Sequence, residues 1–216
     1  MNQFRTAIKN SEFLITAEVA PPKGAKITKM LEMAESLKGR VHAVNITDGS
    51  RAVLGMSSLA ASVVLKNNGI EPIYQVACRD RNRIGLQADL LGAAGLGIEN
   101  ILALTGDPVK AGDHKDAKSV FDFESVRLLQ AIDKLNHGVD WNGKNLADGG
   151  TDLFAGAAVD PQSPSKSGLK KRFEKKLLAG AQFFQSQLIT DFDKLEKFMN
   201  EVAVDTDKPI LAGIFL

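Results

Sequence analysis

The sequence lacks several features that would place it in particular classes of protein. Cys78 is the only cysteine among 216 residues, which excludes an intramolecular disulfide framework and suits a reducing cytoplasm. The 27 basic and 26 acidic side chains nearly balance, so the basic excess of a typical nucleic-acid-binding protein is missing. No apolar run approaches the roughly 18 residues that span a bilayer, and residues 1–13 lack the apolar stretch of a signal peptide. We expect a cytoplasmic protein without nucleic-acid or membrane partners.

Metal-binding motifs are also missing from the sequence. The histidines His42, His114 and His137 are scattered, and no H-E-x-x-H or C-x-x-C spacing occurs, so we expect no metal site. Cys78 has no evident histidine beside it that would activate a thiol nucleophile. The remaining candidates for chemistry are carboxylates, amides and basic side chains.

Short apolar runs alternate with longer stretches of helical spacing along the chain. The runs are nearly continuous in apolar character, which is typical of parallel strands that are buried on both faces. They recur at an interval of roughly 28 residues, which is about the length of one βα unit. Strands are predicted at 13–19, 41–47, 72–78, 100–105, 153–159, 181–189 and 209–216.

Repeated βα units form either an open doubly wound sheet or a closed barrel. The open sheet is expected to carry a G-x-G-x-x-G turn after its first strand, whereas this strand ends in APPKGAK. The glycines of segment 92–97 lie late in a helical stretch, where we expect them to serve close packing and a helix stop. We therefore predict an α/β fold, a (β/α)8 TIM barrel, as one domain over residues 1–216. Only seven βα repeats are visible, so we expect either a longer version of the protein or another element or subunit that closes the gap.

Chemistry in such barrels takes place at the carboxyl ends of the strands. Glu18 lies at the end of the first strand, where partial desolvation would raise its pKa and make it a general acid. The alternative is a rim glutamate paired with a lysine. Asp107 in TGDP either orients the N–H groups of a ligand or is an ordinary turn aspartate. On strict alternation Gln187 shares a face with Gln185 and Phe183, and it faces either a ligand or the core.

A basic run, KKRFEKK at 170–176, covers a predicted helix. At i, i+4 spacing Lys171 and Lys175 share one side of this helix, and Arg172 and Lys176 share another. The run forms either a solvated helix face or a binding site for a pyrophosphate.

Taken together, the strand-end segments resemble the methylenetetrahydrofolate reductase family from about residue 12 to the end of the chain. TGDP after a strand, followed by GAAV-x-P and then by AGA-x-FFQ-x-Q, is specific in combination. The segments that carry the resemblance are ITAEVAPPKGA (15–25), VNITDGSRA (44–52), CRDRNRIGLQADLLGAAGLGIENILALTGDP (78–108), DLFAGAAVDP (152–161) and AGAQFFQSQ (179–187).

The resemblance implies a barrel that holds FAD and reduces 5,10-methylenetetrahydrofolate to 5-methyltetrahydrofolate in one-carbon metabolism, by hydride transfer from the reduced flavin. By position, Glu18 resembles the family's general acid, which protonates N10 of the folate. Asp107 resembles the catalytic and substrate-binding residue that holds the pterin ring near the flavin, and Gln187 resembles the amide shared by folate and reductant. Contacts to FAD or the reductant are implied at Thr47, Asp48, Ser50, Gln75, Thr105, Gly106, Asp107, Ala158, Asp160, Arg172, Lys175 and Lys176.

The chain departs from the family pattern at some of these positions. Gln75 stands where some relatives have histidine, and Asp48 stands where others carry an aromatic residue that packs on the cofactor. The reductant is NADH, NADPH or an electron-donating partner protein. In the last case the chain is a flavin- or folate-binding subunit of a larger complex. The resemblance leaves the oligomeric state open, including a homo-oligomer.

Overall fold

The computed structural model describes residues 2–215, and its centre is one curled sheet of seven parallel strands that are adjacent in chain order. This sheet, with helices between its strands, confirms the predicted TIM-barrel-like α/β fold with one βα unit missing. The strands are β1 (Thr16–Val19), β2 (Ala43–Ile46), β3 (Pro72–Ala77), β4 (Asn100–Leu104), β5 (Phe154–Val159), β6 (Phe183–Leu188) and β7 (Ile210–Gly213). The helices are α1 (Gln3–Lys9), α2 (Thr28–Leu37), α3 (Ser58–Asn67), α4 (Arg83–Gly95), α5 (Ser125–Asn136), α6 (Lys166–Leu178) and α7 (Phe192–Glu201).

The strands at both edges of the sheet are shorter than the apolar runs that predicted them. The run 13–19 forms a strand only from Thr16, because β1 pairs with four residues of β2 and Phe13 is 88% exposed outside this ladder. The run 209–216 forms a strand over Ile210–Gly213, and residue 216 lies outside the described residues. An apolar residue extends a strand only where a neighbouring strand supplies hydrogen bonds.

The register of the sheet decides which side chains face the barrel interior. Glu18 pairs with Asn45, Leu102 with Gly156 and Gly156 with Phe183, so these residues share the inward face. Gly156 leaves room there for Phe183, because a Cβ on Gly156 would lie only 2.3 Å from the Phe183 ring. The alternate residues face outward and pack under the helices in the main hydrophobic core.

Helix α1, which the sequence patterns did not predict, closes the amino end of the barrel. Phe4 is fully buried among inward-facing residues such as Ile73 and Phe183. Asn2 caps the helix and donates from Nδ2 to Asn100 Oδ1 at 2.8 Å. This helix gives the barrel an apolar floor, so the carboxyl ends of the strands form the accessible end.

The glycines of segment 92–97 serve one of their two expected roles. The helix stop is confirmed, since α4 ends at Gly95 and the Gly97 N–H bonds back to the carbonyl of Ala94. The expectation of close packing is wrong for Gly92 and Gly95, because a Cβ at either position would meet nothing within 4 Å. Both glycines lie on the helix where no neighbouring element approaches.

Candidate active site

Glu18 lies at the carboxyl end of β1 and faces the barrel interior. Its side chain is open to solvent, yet the surrounding protein excludes enough water to raise the pKa of its carboxyl group. A hydrogen bond from Gln75 acts in the opposite direction, and no charged group contributes. No described lysine or arginine forms an ion pair with Glu18. The absence of such a pair favours the general acid over the alternative of a rim glutamate paired with a lysine.

Amide side chains share the inward face of the sheet with Glu18. Asn45 on β2 is 2% exposed and Gln75 on β3 is also buried. The Oδ1 atom of Asn45 and the Oε1 atom of Gln185 are buried without a hydrogen-bond partner in the described part of the chain. Buried acceptors of this kind are rare in folded proteins, and each would be satisfied by a nearby hydrogen-bond donor. Sequence reasoning missed Asn45, although an amide inside the apolar run VHAVNIT was a usable signal.

Gln187 does not share the face of Gln185, so the expectation from strict alternation is wrong. The register between β6 and β7 shifts between Gln185 and Leu188, which places one extra residue in β6. The Ser186 hydroxyl stabilises this irregularity, since it donates to the Gln187 carbonyl at 2.6 Å and accepts from the Gly213 N–H at 2.8 Å. Gln187 therefore lines a cavity beside α6.

This cavity lies between the carboxyl ends of β5 and β6 and the side of α6 that runs from Leu169 to Lys176, and its volume is about 160 Å³. It brings together four of the predicted cofactor-binding residues with Gln187. The lining residues are Ala158, Val159, Asp160, Leu169, Arg172, Phe173, Lys176 and Gln187.

Two cations of the basic run face the cavity. Lys176 donates from Nζ to the Ala158 carbonyl at 2.6 Å, and burial lowers its pKa, with a further lowering by the positive charge of Arg172. Arg172 donates to the Ser163 hydroxyl at 2.9 Å. Lys171 and Lys175 are exposed and do not line the cavity. The helix period thus divides the run into a cavity face and a solvated face.

Asp107 connects the loops that follow β2 and β4. Its Oδ2 atom accepts a hydrogen bond from the Arg51 N–H at 2.8 Å. Arg51 and Ala52 both have positive φ angles, 55° and 56°, and such strained backbone is held only where surrounding contacts require it. Ser50 opens this turn and is exposed. The carboxylate is therefore a turn-stabilising group at the rim of the barrel, and it is exposed to any ligand there.

Thr105 and Gly106 shape the end of β4. The Thr105 hydroxyl accepts from the Ser125 N–H at 3.2 Å, at the start of α5. Gly106 has a φ of 94°, and a Cβ there would lie 3.1 Å from the Cβ of Arg79 and 3.2 Å from that of Ala77. Glycine is required for this conformation and this close approach.

Thr47 and Asp48 directly follow β2 but differ in their surroundings. Thr47 is buried. Asp48 forms an ion pair with Arg81 and accepts from the Ala77 N–H at 2.9 Å through Oδ2. Arg81 also pairs with Asp89 at 2.7 Å. Asp48 thus connects β2 to β3 through a partly buried ion-pair network and does not line the cavity beside α6.

Other candidate groups do not form sites. Cys78 is fully buried in the outer core, where burial raises the pKa of its thiol to about 12. Among residues 2–215, no three histidine, cysteine, aspartate or glutamate side chains are grouped so that they could hold a metal ion. None of the helices in that range is both long and apolar enough to cross a membrane.

Comparison with solved structures supports the fold. The chain is similar to a 2,3-dimethylmalate lyase of the PEP mutase/isocitrate lyase superfamily, with a TM-score of 0.59 and 14% identity, over 95% of this chain and 67% of that chain. At this identity the likeness shows the fold alone. Comparison with protein families is more specific, since the model described as methylenetetrahydrofolate reductase matches residues 3–216. The chain, with its curled seven-stranded sheet, belongs to the methylenetetrahydrofolate reductase family.

Proposed function

We propose that this protein reduces 5,10-methylenetetrahydrofolate to 5-methyltetrahydrofolate with FAD as its cofactor. The observation that carries the proposal is Glu18, a carboxyl group with a raised pKa and no charged partner, at the open end of the strands. Membership of the family makes an oxidoreductase acting on folate the expected class of enzyme. A raised pKa favours the protonated form of a carboxyl group, which is the form that can donate a proton.

The residues around the cavity beside α6 fit the phosphates of FAD. Arg172 and Lys176 supply two positive charges there. The amino end of α6 lies in the same region, because Leu169 in its first turn lines the cavity and Arg172 donates to Ser163 just before the helix. Helix amino ends and paired cations favour a pyrophosphate. The unpartnered oxygen of Gln185 fits an N–H group of a heteroaromatic ring. When bound, FAD supplies the hydride that reduces the methylene carbon.

Glu18 donates the proton that opens the five-membered ring of the folate. Its O–H bond breaks as a new N–H bond forms at N10 of the substrate. The electron pair of the bond between N10 and the methylene carbon moves to N10, which leaves a cationic iminium at N5 that is ready to accept a hydride. Gln75 then donates to the resulting carboxylate, which is the form that its hydrogen bond stabilises.

Asp107 and Gln187 position the substrate in this proposal. Asp107 accepts N–H groups of the pterin ring while its bond from Arg51 holds it at the rim. Gln187 reaches the ligands from the side of α6. Thr47 and Ser50 follow β2, and Thr105 and Gly106 follow β4, so in this proposal they contact FAD from the side of Asp107.

Anaerobic rapid mixing tests the proposal. The flavin-loaded protein is reduced by NADH or NADPH and then mixed with methylenetetrahydrofolate while the flavin absorbance is followed. We expect Glu18→Gln to leave flavin reduction intact and to abolish reoxidation by the folate. Glu12→Gln is the matched control, because Glu12 is a surface glutamate beside His42, and it should change neither step. Loss of both steps in Glu18→Gln, or of neither, contradicts the acid role.

Flavin binding is tested separately by fluorescence titration. Removing one charge-assisted hydrogen bond costs about 1.5–3 kcal/mol, which is about 10- to 100-fold in affinity. We expect this loss for Lys176→Met. Lys171→Met is the control, because this lysine lies on the exposed face of the same helix. Equal losses of flavin affinity in the two variants would show that Lys176 does not bind the phosphates. In the mixing experiment, flavin reduction that requires a second protein would identify this chain as a subunit of a larger complex.

A further inference from the structure

Asn45 occupies an unusual position for an amide. It lies in the middle of β2, where every residue is buried, and its own side chain is 2% exposed. Its Nδ2 atom donates to the Thr16 hydroxyl at 3.4 Å, whereas its Oδ1 atom has no partner among the described residues. A buried acceptor without a donor is costly, so a residue that shows one is a candidate for a role outside folding.

The register of the sheet places this acceptor beside Glu18. Asn45 pairs with Glu18, and Thr16 lies two residues before Glu18 on the same face of β1. The oxygen and nitrogen of an amide diverge from one carbon atom. Because the nitrogen is bonded to Thr16, the oxygen is free to accept from the next inward residue of β1, which is Glu18.

We propose that Asn45 is a positioning residue that holds Glu18 in its protonated form, with Oδ1 of Asn45 accepting the hydrogen bond of the Glu18 carboxyl group. A carboxylate has only acceptors, so it would be repelled by Oδ1, whereas a carboxylic acid offers one O–H donor. Protonation therefore satisfies the unpartnered oxygen. This inference rests on the proposed function, because it assigns a partner to the acid of that reaction.

No charged side chain lies among the described inward neighbours of Glu18 that could compete with Asn45 for its carboxyl group. The inward neighbours are Asn45 on β2, Gln75 on β3 and, farther around the sheet, Gln185 on β6 and Leu211 on β7. None of these side chains is titratable, and no charged group contributes to the raised pKa of Glu18. Gln75 stabilises the carboxylate and Asn45 the acid, so the two amides serve the two states of the same group.

The test is a titration of Glu18 by carbon NMR in the full chain without flavin or folate. The side-chain carboxyl carbons of glutamate are labelled, and the spectrum of Glu18→Gln identifies the signal. Asn45→Ala removes the acceptor, and we expect it to lower the titration midpoint by about one pH unit, which is a typical effect of one hydrogen bond. Asn45→Asp keeps an acceptor oxygen at this place, and we expect a midpoint at or above the wild-type value.

Ser62→Ala is the matched control. Ser62 also has a buried oxygen without a described partner, but it lies on α3, outside the barrel interior. Removing the Ser62 hydroxyl should not move the titration midpoint of Glu18. An unchanged or raised midpoint in Asn45→Ala overturns the proposal. If that variant does not give a folded circular dichroism spectrum, Asn45→Ser provides the same comparison, because its hydroxyl can donate to the carboxylate and should also lower the midpoint. A shift found together with full folate reduction by Glu18→Gln would support the contact and refute the proposed reaction.

Discussion

Replacing Phe4 with alanine should destabilise the protein strongly, because this side chain fills the floor of the barrel. Phe4 is fully buried, and its ring meets the edges of Phe183 and Phe154 at centroid distances of 5.2 and 6.2 Å. These two rings are stacked on each other at 5.6 Å, so neither can turn into the space of Phe4 without losing that contact. Truncation of a buried phenylalanine lowers the free energy of unfolding by about 3–5 kcal/mol. Because the neighbouring rings cannot move into the cavity, we expect a loss of about 4 kcal/mol for Phe4→Ala.

Urea unfolding followed by far-ultraviolet circular dichroism measures this loss as a free energy of unfolding. Thermal unfolding provides a second readout. For a chain of this size each kcal/mol changes the Tm by about 2–4 °C, so Phe4→Ala should lower the Tm by about 8–16 °C. Phe13→Ala is the control, because Phe13 is exposed nearby in the chain and should change the free energy of unfolding by no more than about 0.5 kcal/mol. Similar values for the two variants would refute the conclusion that α1 closes the barrel.

Three further predictions concern packing, reactivity and pH. Gly156→Ala should lower the free energy of unfolding in urea by about 1–3 kcal/mol, because the added Cβ meets the Phe183 ring. The loss should be smaller when Phe183→Leu is also present, and equal losses with and without Phe183→Leu would refute the clash. Cys78, whose thiol has a raised pKa of about 12, should react with a disulfide reagent at pH 8 only at the rate of unfolding. Asp113 bonds Lys23 and the Leu54 N–H, which lower its pKa to about 2. A lowered pKa means that this contact is present above the unfolded-state pKa and is lost as pH falls through about 2, so Lys23→Met should raise the Asp113 midpoint in an NMR titration.

The local pattern of the sequence predicted the elements that build the barrel. Near-continuous apolar runs with helical stretches between them are the signature of parallel strands, and all seven form in chain order. The period of α6 likewise predicted that Arg172 and Lys176 share a side, and both line the cavity. Such features depend on neighbours along the chain, so they can be read without tertiary information.

Other features arise from contacts between distant segments. The irregularity in β6 turns Gln187 away from the face of Gln185, and no alternation rule signals it because the cause is the pairing with β7. The bond from Arg51 to Asp107 crosses 56 positions of the chain. Helix α1 is only seven residues long, so its apolar residues Phe4, Ala7 and Ile8 do not show where it packs. The contacts of Phe4 with Phe183 and Phe154 fix its position.

The sequence by itself determined the fold class and the family to which the chain belongs. Those conclusions depend on periodicity and on short motifs, which local residues specify. The tertiary structure decided which polar groups are satisfied. Glu18 has a raised pKa because neighbouring strands exclude water from it, and the Oδ1 atom of Asn45 lacks a donor because the register brings no N–H to it. Burial and hydrogen-bond partnership are properties of the assembled sheet, and they exist only once the strands have met.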